Sequence, residues 1–306
     1  MNQKTAVMLI GFGGPEGMGD VKPFLESVLR GVNIPQVRFD EVFAHYEHFG
    51  GVSPYNAITY TQKKALEEEF QRRGVDLPVF VGFRHSSPSF EDTLLHLKQQ
   101  NVRKVIGFVL ASLRSHASFE KYIERVEEAK IQTNAADIEF VYTDAFYEHP
   151  LFIEAQADEA VKTMSKISAD EMKRTYFIFS AHSIPSPMAA ASGYDRQHEK
   201  VSSLIAEKIG APAWAVAYQS RSGRPSDPWL EPSVEKVIES LDRAKYQSVV
   251  LVSAGFLCDN IEVLYDLDCE CRLLCEKLGL AYHRAKTVTA HPKFIRLAAD
   301  LIEAKR

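Results

Sequence analysis

The first 257 residues of this 306-residue chain contain no cysteine; Cys258, Cys269, Cys271 and Cys275 all fall in one short stretch. That distribution excludes the spaced framework of a disulfide-stapled secreted domain. No apolar run approaches the roughly 18 residues needed to cross a bilayer. The opening MNQKTAVMLIGFGG is apolar only from Ala6 to Ile10 and has no small-residue cleavage site behind it. It therefore reads as a buried first strand rather than a signal peptide, and a cytoplasmic location is expected. Basic charge is not in excess: the net charge is −5 and the pI about 6.1. No broad basic face is implied, so nucleic acid is not an expected partner. There is no Walker A motif, strong repeat, low-complexity tract or long linker. What is present, 45% hydrophobic and 25% charged residues, suffices for an ordinary globular core.

Short β-rich runs alternate with helical patterns, the signature of an α/β fold with parallel strands. Strands are expected at 5–11, 78–83, 104–111, 138–143, 174–181, 214–219, 248–253 and 280–283, two sets of four. VMLI, VIGFVLA, YFIFSA and VVLVSA are continuously apolar, as strands covered by helices on both faces must be. Helices are expected at 61–73, ending at Gly74; at 231–243, with Pro232 in the first turn; and at 291–305. The pattern predicts two Rossmann-like domains, 1–150 and 151–290, each a four-stranded parallel sheet flanked by helices. They are expected to face each other across a cleft, with 291–306 packing back on the first. Ligands in such folds bind beyond the C-terminal ends of the strands.

Four strand-end segments carry chemistry. Gly11-Phe12-Gly13-Gly14-Pro15-Glu16-Gly17 follows the first strand. Its third glycine is one place late for a dinucleotide fingerprint, and no acidic residue closes a second strand about twenty residues on. A tight turn that lets backbone approach a ligand is the better reading. Ser180-Ala181-His182-Ser183-Ile184-Pro185 leaves the fifth strand. A histidine there either accepts a proton or ligates a metal, or it merely bonds the loop; position alone does not choose. After the seventh strand, a helix from Asn260 would set Glu262, Asp266 and Glu270 at i, i+4 and i+8, with Asp259 as its cap. Such a ridge is a solvated acidic face or a path for a weakly held divalent metal. The apolar Leu257, Ile261, Leu264 and Leu267 on the same segment favour the second. The loop 218–232 is stiffened by proline and holds Arg221, Arg224 and Trp229, cations and an aromatic that suit a flat carboxylated ligand. It is otherwise a surface loop before a helix.

Together these segments resemble the ferrochelatase family. The match runs over nearly the whole chain: GFGGPEG near the start, HYEHFGGVSPYN at 45–56, SAHSIP at 180–185, YQSRSGRPSDPWLEP at 218–232 and GFLCDNIEVLYDLD at 255–268. The resemblance implies two Rossmann-like domains around a porphyrin cleft and insertion of ferrous iron into the macrocycle. It implies a catalytic histidine and glutamate, matching His182 and Glu262, on opposite walls of that cleft. His182 would accept a pyrrole proton. Glu262, Asp266 and Glu270 would pass iron or protons, so the expected metal-contacting set is His182, Glu262, Asp266 and Glu270. Phe12, Arg30, His45, Tyr46, Ser53 and Tyr122 match porphyrin-holding positions, with His85, Arg221 and Trp229 as further candidates. The sequence departs from the pattern twice. Phe12 stands where some members place a tyrosine that reaches the iron, and phenylalanine cannot ligate. Asn260 stands where members usually have histidine, in Asp-His-x-Glu; it cannot titrate near pH 7 and is expected only to position a water or Glu262.

Some members carry a [2Fe–2S] cluster with one ligand in the first domain. Here Ser118-Phe119-Glu120-Lys121-Tyr122 occupies that region. Cys258 would lie about 16 Å along a helix from Cys269, and Cys271 with Cys275 supply only two ligands. No tightly bound cofactor is expected: the thiols read as reduced and structural, and iron enters as substrate. GGPEG, VKPFLESVLRG and HYEHFGGVSP look most like the bacterial members that metallate coproporphyrin III. Its four propionates would meet Arg30, His45, Arg114, Arg221 and Arg224. The expected partners are thus the porphyrin and ferrous iron, with transient contact to the next enzyme of haem synthesis. Protoporphyrin IX as substrate, or a non-catalytic tetrapyrrole or metal carrier, are the other readings. A carrier would need no base.

Overall fold

Among the residues described by the computed structural model, 4–31, 35–222 and 226–306, the apolar runs form eight strands. These are β1 (Thr5–Gly11), β2 (Val79–Phe83), β3 (Lys104–Val109), β4 (Glu139–Tyr142), β5 (Thr175–His182), β6 (Trp214–Gln219), β7 (Ser248–Val252) and β8 (Ala281–Arg284). Each lies within one or two residues of its expected span. They make two all-parallel sheets flanked by helices, in the orders β2-β1-β3-β4 and β6-β5-β7-β8. The continuously apolar β1 and β7 are buried along almost their whole length, whereas the edge strands β4 and β8 are partly open.

The chain divides into two compact units. One runs to Leu110 and adds Phe119–Asp144 and Ala298–Arg306; the other holds Ala111–Ser118 and Ala145–Leu297. In each, the first strand is followed outward by the second, and the third is placed on the first strand's other side. The order therefore reverses beside β1 and beside β5. Ligands bind at such a reversal, outside the carboxyl ends of the strands. The residues delivered there are Gly11–Gly14 after β1, His182 at the end of β5 and the segment after β7.

Three helices differ from expectation for local reasons. The expected helix at 61–73 begins earlier, as Tyr55–Arg72. Its first turns bury Tyr55, Asn56 and Thr59, whose polar atoms conceal a buried face from hydropathy counting. The helix expected at 231–243 spans only Val234–Ser240. Pro232 stays outside it, and the Ser233 hydroxyl caps it by accepting from Lys236 N at 3.3 Å. The acidic segment is not an α-helix. Val263–Cys271 is a π-helix, continued by the α-helix Arg272–Lys277. π-Helices are usually single turns set at functional sites. This one buries Val263, Leu267, Cys271 and then Cys275, every fourth residue, against Ile178, Val249 and Leu251 of the sheet. Truncating one such side chain, Leu267→Ala, would cost about 2–5 kcal/mol. The carboxylates of Glu262, Asp266 and Glu270 each precede a member of that stripe by one residue, so packing of the stripe fixes their placement.

Candidate active site

In the first unit, the residues after β1 are held by the helix that starts at Tyr55. The Tyr55 hydroxyl accepts from Phe12 N at 3.0 Å. The Asn56 amide brackets Gly14, accepting from its N–H and donating to its carbonyl, both at 3.0 Å, and also donates to Glu16 Oε1 at 3.0 Å. Gly13 adopts φ +88°, and a Cβ there would lie 2.2 Å from the Ser86 hydroxyl oxygen, so a side chain is excluded by both strain and space. Buried Ser53 donates its N–H to Pro15 O at 2.9 Å and lies under Gly14. The turn is thereby a rigid cradle.

Phe12 packs on His85, with ring centroids 4.6 Å apart, and both rings meet Phe24 at 6.0 and 6.3 Å. Phe24 in turn meets buried Tyr46 at 5.6 Å. Ser27 Oγ lies 2.9 Å from His85 Nδ1. Burial, then the charges of Arg84, Arg125 and Arg30, push the His85 pKa down to about 3, so it is neutral at any working pH. Of the expected porphyrin contacts, Phe12, His85 and Tyr46 thus form one aromatic cluster, completed by Phe24 and Ser27, which sequence reading missed. Arg30 stands exposed just past the helix Met18–Val28. Half-buried His45 is held below its ordinary pKa by burial and by Arg38. Tyr122 is buried, with the Arg84 guanidinium 5.8 Å from its ring centre.

In the second unit, β5 ends at His182 and the adjacent β7 leads to Glu262. Gly255 permits the close approach, since a Cβ there would lie 2.6 Å from the Cβ of Ala181. His182 Nε2 and Glu262 Oε1 are 3.8 Å apart, with 31% and 42% of the two side chains exposed. The pair therefore shares one unit and one strand reversal, rather than lying on opposite walls as the resemblance implied. His182 Nδ1 meets Ser183 O at 2.5 Å. A carbonyl only accepts, so Nδ1 carries the proton and the Nε2 lone pair faces Glu262. Burial disfavours the imidazolium, but Glu262, the Ser183 carbonyl and Asp266 outweigh it and raise the His182 pKa above 6.5. Tyr194 OH donates to His182 O at 3.1 Å.

The acidic ridge runs from half-exposed Glu262 through buried Asp266 to exposed Glu270. Burial raises the Asp266 pKa to about 7; Glu262 and Glu270 reinforce it against a hydrogen bond from the Ser220 hydroxyl. Among the described residues no three His, Cys, Asp or Glu side chains are grouped to hold one metal ion. The expected set His182, Glu262, Asp266 and Glu270 is therefore not a single closed cage.

Capping also differs from expectation. Asn260, not Asp259, caps the helix, its Oδ1 accepting from Val263 N at 2.8 Å. The Asp259 carboxylate turns instead to Arg284 and Thr287. The end of β6 contributes two residues that sequence reading passed over. Buried Gln219 accepts from Ser180 Oγ at 3.0 Å and donates to Glu262 O at 3.4 Å, and Ser220 meets Asp266. Both stand in the YQS motif, the one signal that could have found them. Next to His182, Trp229 pairs with Pro185, Leu230 N donates to Ile184 O at 3.0 Å and Ser183 Oγ to Leu230 O at 2.9 Å. Arg221 Nη2 donates to Asp227 O at 2.7 Å within its own loop. Arg224 lies outside the described residues.

A ferrochelatase family model matches residues 4–306. The chain belongs to the ferrochelatase family. It is an enzyme that inserts iron into a porphyrin. Its relatives include a ferrochelatase of Rhodopirellula baltica, 39% identical over 97% of this chain and 85% of that one. A coproporphyrin III ferrochelatase of Mycolicibacterium vanbaalenii is 37% identical over 98% of this chain and 90% of its own. One from Mycobacterium bovis is 38% identical over 99% and 87%. Among solved structures, the cobalt complex of the sirohydrochlorin chelatase SirB from Bacillus subtilis subspecies spizizenii aligns with TM-score 0.56 at 12% identity. It covers 98% of this chain and 94% of its own, a likeness of fold. No helix among the described residues is long and apolar enough to cross a membrane.

Proposed function

We propose that this ferrochelatase acts on coproporphyrin III, releasing Fe-coproporphyrin III for haem synthesis. What carries the reading is the pair of relatives named coproporphyrin III ferrochelatase, similar over nearly the entire chain. Exposed Arg30 and Arg114, with His45 and Arg221, supply cations and donors suited to four propionates.

Insertion converts Fe²⁺ and a free-base porphyrin into the metalloporphyrin and two protons. His182 Nε2 takes a pyrrole proton, and Glu262 stabilises the imidazolium so formed. Glu262, Asp266 and Glu270 hand iron in, or protons out, through single weak oxygen contacts that do not trap the ion. The Phe12–His85–Phe24 cluster offers a largely aromatic surface for the macrocycle, on which the Phe12 side chain cannot ligate iron. The enzyme works without a resident cluster, because Cys271 and Cys275 are committed to the apolar core against the sheet.

The test is Fe²⁺ insertion with coproporphyrin III and protoporphyrin IX side by side. Two further propionates, each held by charge-assisted hydrogen bonds, predict a kcat/KM roughly 10-fold or more higher for coproporphyrin III. Equal rates, or preference for protoporphyrin IX, would overturn the assignment.

A further inference from the structure

Arg284 ends β8 with its side chain only 10% exposed, and it grips two carboxylates of the acidic segment. Nε and Nη2 donate to Asp268 Oδ1 and Oδ2 at 2.8 and 2.7 Å. Nη1 and Nη2 donate to Asp259 Oδ1 and Oδ2 at 3.1 and 3.3 Å. Thr287 Oγ1 adds a bond to Asp259 Oδ1 at 3.1 Å. Asp259 precedes Glu262 in the chain and Asp268 follows Asp266, so the two anchors straddle these two carboxylates of the ridge. A planar guanidinium fork holds both at fixed geometry, which a lysine cannot do. The segment between the anchors leads into and covers the first part of a nine-residue π-helix, far longer than the single turn such helices normally sustain.

The same contacts sort the carboxylates. Asp259 and Asp268 are neutralised by Arg284, with Arg272 Nη2 also 3.6 Å from Asp268 Oδ1. Glu262 and Asp266, by contrast, are held by His182 and by the Ser220 hydroxyl rather than by a lysine or arginine among the described residues. Without Arg284, two more carboxylates would compete for a passing divalent cation.

We propose that Arg284 is a positioning residue for iron insertion: by gripping Asp259 and Asp268 it holds the Glu262 carboxylate opposite His182 and keeps two flanking acids from drawing the ion off the ridge. This rests on the assignment of His182 and Glu262 as the working pair.

The test uses two anchors of unequal strength. Asp268 makes the shorter bonds, so Asp268→Asn should lower Tm more than Asp259→Asn. Asp259 lies nearer Glu262, so Asp259→Asn should lower kcat/KM for Fe²⁺ more, by about 10- to 100-fold, with KM for the porphyrin unchanged. Arg284→Lys should keep most of the stability and lose iron kinetics in the same manner. A structural role alone would make stability and iron kinetics fall in the same order, or leave Arg284→Lys at the wild-type rate; either result overturns the proposal. Glu262→Gln in the same assay separates the two levels. If it inserts iron normally, the working pair falls and this inference with it. If it is impaired while the anchor variants follow stability, only the inference about Arg284 falls.

Discussion

His85 and His182 are the same side chain set just beyond or at the end of a strand in two sheets of the same order, yet their surroundings drive them in opposite directions. His85 is enclosed by Phe12 and Phe24 with arginines nearby, and its pKa falls to about 3. His182 is partly buried too, but the Glu262 carboxylate and the Ser183 carbonyl lift it above its ordinary 6.5. Burial alone would have lowered both. What separates a wall residue from a base is thus one carboxylate delivered by the neighbouring strand. Of the two, only His182 is drawn toward the charged form, as a proton acceptor requires.

The largest break in that contrast is His182→Ala. It removes the base, and kcat should fall by about 10²- to 10⁴-fold while porphyrin still binds, as absorbance or fluorescence titration would show. A variant that keeps its rate would make the chain's proton acceptor some other group. Next in size is Glu262→Gln, which keeps shape and removes charge. Burial then becomes the leading influence on His182, so its pKa drops and the acidic limb of kcat/KM against pH moves to lower pH. The sign for stability follows from the same raised pKa. The pair stabilises the fold between the ordinary carboxylate and imidazole ranges, and that contribution is lost as pH rises through the raised His182 pKa or falls through the lowered Glu262 pKa, so the gap in Tm between wild type and Glu262→Gln should narrow toward alkaline pH. A limb that stays in place would uncouple the two groups. Smaller again is His85→Ala. It deletes the contact with Ser27 and part of the aromatic floor, so KM for porphyrin should rise by about 2- to 10-fold with kcat and the pH profile unmoved. A shift in the profile would mean that His85 titrates in the working range after all.

Much of this was legible in the chain. VMLI and VVLVSA read as doubly covered strands, and the succession of such runs falls into two sets of four. His182 was legible through the SAHSIP resemblance, since its place at a strand end left a merely loop-bonded histidine equally open. Three things were not legible, each for a physical cause. The period of a π-helix differs little from that of an α-helix over two turns, so Val263–Cys271 reads as either. A buried polar face, as at Tyr55, Asn56 and Thr59, leaves no hydropathy signal. And Arg284 is distant in sequence from Asp259; only the pairing of β7 with β8 brings them together.

The smallest expected effect concerns the residue where this chain departs from its family's usual histidine. Asn260 accepts from Val263 N and so closes the first turn before the π-helix, two residues ahead of Glu262. Deleting that cap in Asn260→Ala should cost about 1 kcal/mol, a fall in Tm of roughly 2–4 °C for a domain of this size. Ser and Asp cap equally well, so Asn260→Ser should recover the loss, and Asn260→Asp should do so while adding a charge beside the ridge. The contrast between the two histidines predicts where catalysis follows. Because the His182 pKa depends on Glu262 standing near it, the uncapped variant should show a slightly lower acidic limb as well as a lower Tm, and Asn260→Ser should restore both together. If Asn260→Ala lost stability but kept the limb, the cap would serve the helix alone, and the position of Glu262 would rest on Gln219 and the packing of Val263.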